Sequence, residues 1–376
     1  MSQEKKVVHD AVHGSVVFSE PFDRLLETPE MQRMAHIRQL GLAYLVFPGA
    51  NHTRFEHMIG AYHLASRFAT VLGLEGWERD MLLTSALVHD AGHPPFSHTL
   101  EPLMMERLGM NHMELTASII KGERDVVPKE QGVFLSTKVR LKEAIESISL
   151  DPDQVAQVVM REEGVPGVPS FISSLIHGPV DVDQLDYLMR DAHYTGVASG
   201  RVDGDRIIQT TELNNGRLVL RKSGVPAVEG LIVSRILMNT AVYFHKTVRI
   251  AEMMLLRAAS FLDDSSLAAA ITGTDASLEG MLLEKGGEAR KLMTMLKYRQ
   301  LYKPAFSVSL HELDSSRRTL LSSMIRDGTK HMEDEICRLA SVPKGSVLVD
   351  ASQPEYLEGD AVPGKTAVPV MDDTVV

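Results

Sequence analysis

Apolar residues recur at three- and four-residue spacing through segment after segment of this chain. "PFDRLLETPEMQRMAHIRQL" from Pro21, "HTRFEHMIGAYHLASRFATVL" from His52 and "WERDMLLTSALVHD" from Trp77 all follow it, and this is the period of helices that bury one face. The same character returns in "LTASIIKG", "VRLKEAIESI" and "DPDQVAQVVM", with a looser segment at 122–132 expected as a loop. Past "GVPGVPS" it continues in "DVDQLDYLMRDAHY" and "VEGLIVSRILMNTAVYFHKTVRIAEMMLLRAAS". Strand signals are few. "VVHDAVHGSVVF" at 7–18 is β-branched and broken by Gly14, and Asn215-Gly216 inside "LNNGRLVLRKSG" marks a hairpin turn. One more helix is expected over "RRTLLSSMIRDGTKHMEDEICRLA", then a strand-and-loop tail from Gly345 with no chemistry assigned. The predicted fold class is mainly α: a helical core with small β-hairpins and a mixed C-terminal segment. In a chain of 376 residues we place the core at 1–270 and a C-terminal subdomain, suited to assembly, at 271–376.

Composition narrows the chemistry. No uninterrupted apolar run is long enough to cross a bilayer, so no membrane association is expected. The opening "MSQEKKVVHD" lacks the apolar core of a secretory signal, and a cytoplasmic location is expected. Cys337 is the single cysteine, which excludes an internal disulfide framework and a zinc site built on several thiolates. Any metal must therefore be held by histidine and carboxylate. A net charge of -11 argues against a surface for duplex nucleic acid while leaving room for a local basic pocket.

Such a set occurs in "ALVHDAGHPPFSHTLE", residues 86–101. Gly92 is a natural helix end and Pro94-Pro95 forbid continuation, so His89 and Asp90 are expected on the last helical turn. There an imidazole and a carboxylate project side by side and suit a borderline divalent metal. An isolated His-Asp pair also reads as a solvated helix end, and His9-Asp10 repeats the dipeptide in a strand-like setting where no ligand role is assigned. The second copy has company. His57 begins an amphipathic helix with Arg54 just before it, where a ligand and a cation can meet a phosphate oxygen; alone, His57 reads as a core histidine, as do His52 and His63. In "GPVDVDQLDYLMRDAHY", Asp183, Asp186, Tyr187, Arg190 and Asp191 share one helical face. By charge pattern that face is a solvated surface, with the wall of a polar cleft as the alternative.

In this order, "HTRFEH", "LVHDAGHPPFSH" and "DVDQLDYLMRD", with "ETPEMQRMAHIRQLGLAYLVFPGANHTRFEH", resemble the HD-domain phosphohydrolase superfamily, and especially its deoxynucleoside triphosphate triphosphohydrolase branch, over residues 7–254. The resemblance implies that His57, His89, Asp90 and Asp183 ligate a divalent metal. Manganese, iron, zinc or nickel suits this donor set, magnesium is also compatible, and the ion would activate water for attack at phosphorus. It further implies that His98 protonates the leaving 5′ oxygen, with Glu101 and His112 as relay partners, and that His93 stabilises the α-phosphate. Gln39, Leu40 and Asp191 would hold the sugar and its 3′-hydroxyl, Tyr187 and Tyr243 would line it, and Arg54 and Arg235 would face phosphates.

The chain departs from the family pattern in places. Glu101 stands where a relative carries aspartate, and Gln184 where the mammalian members carry a lysine. Ala35 replaces an arginine that reads an activating guanine nucleotide, although Glu27 fills the acidic partner position. Guanine-activated assembly is therefore not expected. The implied activity is release of deoxynucleoside and triphosphate from a dNTP. Two alternatives stand beside it: an HD-domain phosphatase or phosphodiesterase acting on nucleoside monophosphates, cyclic nucleotides or short single-stranded nucleic acid, and a non-catalytic nucleotide-binding regulator. The expected partners are a nucleotide substrate and further copies of the chain in a homo-oligomer.

Overall fold

The structure, a computed structural model, describes residues 5–162, 164–308, 312–326, 329–351 and 368–371. Strands β1 (Lys6–Asp10) and β2 (Gly14–Phe18) pair antiparallel from Lys6↔Phe18 to Asp10↔Gly14. The helices α1 (Phe22–Leu26), α2 (Pro29–Arg33), α3 (Arg54–Leu72), α4 (Gly76–Val88), α5 (Glu101–Leu108) and α6 (His112–Ile120) follow. The segment expected as a loop holds turns and the short α7 (Lys129–Gly132), and α8 (Leu141–Glu146), α9 (Pro152–Val159), α10 (Ser170–His177) and α11 (Val182–Thr195) complete the first half.

The frame of the molecule is α3 packed between α4 and α11. A capping box starts α3: the Thr53 side chain accepts from the Glu56 N–H and the Glu56 carboxylate accepts from the Thr53 N–H, while Gly73 ends the helix in the left-handed region at φ 66°. Its buried face, Met58, Ala61, Leu64, Ala65 and Phe68, meets a core that includes Leu82, Ala86 and Leu87 of α4 and Leu185 and Leu188 of α11. Gly60 sits in mid-helix for a steric reason. A Cβ there would lie 1.8 Å from Asp186 Oδ1 and 2.5 Å from an Arg190 nitrogen, so glycine is what lets α11 approach.

Beyond α12 (Gly204–Thr210), β3 (Thr211–Asn214) and β4 (Arg217–Arg221) form the expected hairpin, with Asn215 and Gly216 at φ 50° and 74°. Strand β5 (Val370–Met371) adds parallel to β4 and is the described part of the expected tail beyond residue 351. The long helical block that follows is not continuous. It runs as α13 (Val225–Met238), a π-turn at Asn239–Tyr243, and α14 (Lys246–Ala259); such wide turns re-aim side chains. The stretch Lys222–Tyr243 spans 22 residues and is long and apolar enough, by length and composition only, to cross a membrane, with 28% of its most apolar window buried. That corrects the expectation of no such run, which Glu229 and Arg235 interrupt in the sequence but not in the helix.

Helices α15 (Asp264–Ala270), α16 (Asp275–Lys285) and α17 (Gly287–Lys297) come next, and α17 packs on both α14 and α16. The described parts of the last expected helix are α18 (Ser315–Arg326) and α19 (Thr329–Leu339). Residues 327–328 between them lie outside the described residues.

Candidate active site

Helix α4 stops at Val88 with His89 as its cap, so His89 and Asp90 lie just past the last turn rather than on it. Hydrogen bonds from Ala91 N–H to Val88 O and from His93 N–H to Asp90 O, both 3.0 Å, coil the chain into successive tight turns. Gly92 is needed for contact: a Cβ would fall 2.2 Å from the Thr116 nitrogen, and the Gly92 N–H donates to Thr116 Oγ1 at 3.0 Å. After the prolines, Phe96 and Ser97 both take left-handed backbone, φ 57° and 56°. For non-glycine residues this costs on the order of 1–3 kcal/mol each and persists only where the surroundings impose it.

Four side chains from α3, the α4 end and α11 converge. His57 Nε2 lies 3.3 Å from His89 Nε2, 3.0 Å from Asp183 Oδ1 and 3.7 Å from Asp90 Oδ2. His89 Nε2 lies 3.5 Å from Asp90 Oδ1 and 3.6 Å from Asp183 Oδ1. Nitrogen and oxygen donors about 2.1 Å from a tetrahedral ion would be about 3.4 Å from one another, so the separations from the two imidazoles fit a first-row divalent cation; His57, His89 and Asp90 keep donor atoms within 4.8 Å of one another, and Asp183 stands beside that trio. The tautomers fit as well. His89 Nδ1 donates to Ala86 O at 2.9 Å and His57 Nδ1 pairs with Asp186 Oδ2 at 2.8 Å, which turns both Nε2 lone pairs inward. Burial opposes charge on His57, yet hydrogen bonds and charge from Asp183 and Asp186 push its pKa up to about 10. The nest thus calls for a positive charge at its centre, a proton or a metal. Asp90 is buried too, but His89 and Arg54 hold its carboxyl well below the usual range.

Behind this nest lies a buried layer. Asp186 receives His57 Nδ1, His13 Nε2 at 2.6 Å and Arg190 Nε at 2.8 Å, and Arg190 reaches Asp10 Oδ2 at 2.8 Å. Asp186, Arg190 and Asp191 are all buried, so this face of α11 is not the solvated surface that charge pattern favours. Asp10 supports Arg190, whereas His9 is exposed and meets Ser15 Oγ at 3.2 Å. Sequence reasoning missed His13; a single histidine beside a hairpin glycine carries no signal.

The second wall is built on Glu101. One carboxylate oxygen pairs with His98 Nδ1 at 2.8 Å and the other with His112 Nδ1. His93 stacks on His112 with ring centroids 4.2 Å apart, meets His98 edge-on at 4.8 Å, and places Nε2 3.3 Å from Asp90 Oδ1. Burial raises the Glu101 pKa, but His112 and His98 overcome it and hold the carboxyl far below the usual range. Burial, then Arg54, lowers His93 well below an ordinary imidazole.

A further polar cluster gathers around Asp191 of α11. Asp191 accepts from His52 Nε2 at 2.8 Å and from the Tyr243 hydroxyl at 2.7 Å, and the Tyr243 ring meets Tyr187 edge-on at 6.1 Å. The Gln39 N–H donates to His52 O at 3.0 Å, while its side-chain Oε1 is buried without a partner among the described residues; Leu40, beside it, is half-buried. Arg54 is already engaged, donating Nε to Ser97 Oγ at 3.0 Å and a terminal nitrogen to Asp90 Oδ2 at 2.5 Å. Arg235 is exposed, with one nitrogen 3.4 Å from Gln184 Oε1, and the Gln184 amide donates to Gly178 O and Asp181 Oδ2. Glu27 pairs with Lys6 at 3.1 Å and is not part of the nest.

Residues 54–147 match the HD domain family model, and residues 202–364 match the HD associated region. An uncharacterised protein of Bacillus subtilis is 37% identical over 68% of this chain and 55% of its own length. The deoxynucleoside triphosphate triphosphohydrolase SAMHD1 of Homo sapiens is 27% identical over 79% of this chain and 54% of its own. The chain spans about half the length of the curated relatives it matches. Among solved structures, a phosphohydrolase from Bacteroides thetaiotaomicron superposes with TM-score 0.68 at 25% identity, covering 91% of this chain and 85% of that one. A hypothetical protein from Aquifex aeolicus gives 0.65 at 32% identity, covering 82% and 79%.

Proposed function

This chain belongs to the HD-domain phosphohydrolase superfamily, and from that premise we propose that it is a metal-dependent hydrolase that splits a deoxynucleoside triphosphate into deoxynucleoside and triphosphate. The observation that carries the reading is Asp90, which one carboxylate commits to the donor nest, to Arg54 and to His93. One side chain thereby links the donor nest, the Arg54 guanidinium and the histidine wall, which supports giving them a shared substrate.

His57, His89, Asp90 and Asp183 would hold the metal, which when bound polarises a phosphate oxygen and acidifies water. The rest falls to the chain's own groups. Ionised Glu101 accepts from His98 Nδ1–H and orients the ring, so that Nε2 can present a proton to the leaving 5′ oxygen. His112 secures the second oxygen of Glu101 and holds the carboxylate between the two rings. Tyr243 donates to Asp191 and leaves that carboxylate acceptor capacity for a sugar hydroxyl, while the unpartnered Gln39 Oε1 offers another acceptor.

Manganese-loaded protein incubated with each of the four dNTPs, with products resolved by chromatography, tests this directly. Deoxynucleoside and triphosphate are expected; monophosphate release, or no turnover of any dNTP, overturns the reading. His89→Ala is expected to lose bound metal and turnover together. One observation favours a second reading. Gln184 is neutral and its amide is already used by Gly178 and Asp181, so one phosphate-neutralising charge is missing and a substrate with fewer phosphates is accommodated. Activity confined to dNTPs across a panel of phosphomonoesters and phosphodiesters rejects it.

A further inference from the structure

We propose that Asp275 is a positioning residue for this active site: its buried carboxylate locks the left-handed Phe96-Ser97 turn and so keeps His93 and His98 in register with the donor nest. The proposal rests on the hydrolase reading above and deepens it, because Asp275 lies far beyond the matched HD domain, in the C-terminal part that the sequence suggests for assembly.

Asp275 is the first residue of α16, and its side chain is only 6% exposed. An aspartate there would ordinarily serve its own helix. In this chain Thr274 does the capping, accepting from the Ser277 N–H, and the Asp275 carboxylate points elsewhere. Oδ1 accepts the Phe96 N–H at 2.8 Å, and Oδ2 accepts the Arg38 N–H at 3.1 Å and an Arg38 guanidinium N–H at 3.4 Å. Phe96 is the first of the two strained residues, at φ 57°. A charged acceptor on a buried N–H is the stronger kind of hydrogen bond, and strained backbone needs such over-determination to persist.

From this anchor the bonding is continuous to the nest. The Ser97 hydroxyl donates to Arg38 O at 2.9 Å and accepts from Arg54 Nε at 3.0 Å, and Arg54 binds Asp90. Two residues before Asp275, Gly273 holds the other side of the turn through buried Arg33, which donates to Gly273 O at 2.8 Å and to Ala91 O and His93 O at 2.9 Å each. Residues 273 and 275 thus hold the turn at both ends, while the metal donors come from α3, the α4 end and α11. Loss of Asp275 should disturb the histidine wall and leave the nest standing.

Asp275→Ala, Asp275→Asn and Thr274→Ala in the full chain test this by amide hydrogen exchange over 93–98, kcat, KM and bound metal. Asp275→Ala is expected to speed exchange across the turn at least tenfold and to lower kcat by about 10–100-fold, the range of support-residue losses at metal sites, with KM and metal content unchanged. Asp275→Asn keeps one acceptor oxygen and falls between. Thr274→Ala weakens the start of α16 without removing the carboxylate, and keeps native turn exchange and kcat. Unchanged exchange at the turn in Asp275→Ala, or equal losses of kcat in Thr274→Ala and Asp275→Ala, would overturn the proposal. If the native protein turns over no substrate, the hydrolase reading fails, while the exchange rates still decide whether Asp275 locks the turn.

Discussion

The donor nest and the histidine wall share Asp90 but are held in opposite ways. In the nest, His57 is fully buried, and behind it Asp186, Arg190 and Asp10 form a closed ionic layer with no solvent. In the wall, His98 is 62% exposed and leans on one carboxylate. The contrast follows from what each half would do. Metal donors gain from fixed geometry, because a misplaced ligand loses the ion. A proton donor must meet a substrate that comes and goes, then recover its proton from water.

The harshest way to break that contrast is Gly60→Ala. By helix propensity the change stabilises an exposed helix by about 1 kcal/mol, but here the new methyl would sit 1.8 Å from Asp186 Oδ1. The carboxylate that orients His57 must move, so bound metal and turnover are both expected to fall to background, read by metal analysis and product assay. Retention of full metal content would mean that the buried layer does not orient the nest.

A smaller, selective loss is expected from the other half. His98→Ala should lower kcat by about 10²–10⁴-fold, the usual contribution of a general acid, with metal content unchanged. If metal is lost as well, the two halves are not separable. Glu101→Gln should cost less, since the His98 ring remains. Burial disfavours the Glu101 charge, but His112 and His98 depress its pKa. Its charge therefore stabilises the fold above the ordinary glutamate value, and that contribution is lost as pH falls toward the folded value. The variant removes that charge, so its Tm should fall less than the native Tm as pH drops below the ordinary glutamate range; equal falls would show that the Glu101 charge does not stabilise the fold.

The same contrast separates what was legible in the sequence from what was not. Helical spacing located α3, α4 and α11, and Asn215-Gly216 located a hairpin, because a local period or turn chemistry encodes each. The motif order pointed to the side chains that now meet in the nest. Their supports were hidden. His13 and Asp186 are 173 residues apart, Asp10 and Arg190 are 180 apart, and Phe96 and Asp275 are 179 apart; no spacing rule joins them. The charge pattern of α11 misled for a related reason, since a stripe of ions looks solvated until its partners on β1 and α3 are known. The break between α13 and α14 was equally silent, because no breaker residue marks the π-turn at Asn239–Tyr243.

The smallest effect lies on the outer side of the buried layer. His63 sits with its ring 5.0 Å from that of His13. Burial, then the neighbouring His13 and Arg67, lowers its pKa to about 4, against a weaker pull the other way from Asp10 and Asp186. In the unfolded chain it would titrate near the ordinary 6.5. Between those values the unfolded state binds a proton that the folded state refuses, so stability falls as pH drops from 6.5 toward about 4, and the slope vanishes below that. His63→Leu removes the refusing group, and its Tm should vary less with pH across this window than the native Tm. Metal content and turnover at neutral pH should stay native, because the His13–Asp186–His57 line does not pass through His63. Equal pH slopes in the two proteins would show that His63 is solvated, and a change in metal content would show that the buried layer extends one residue further out than its hydrogen bonds do.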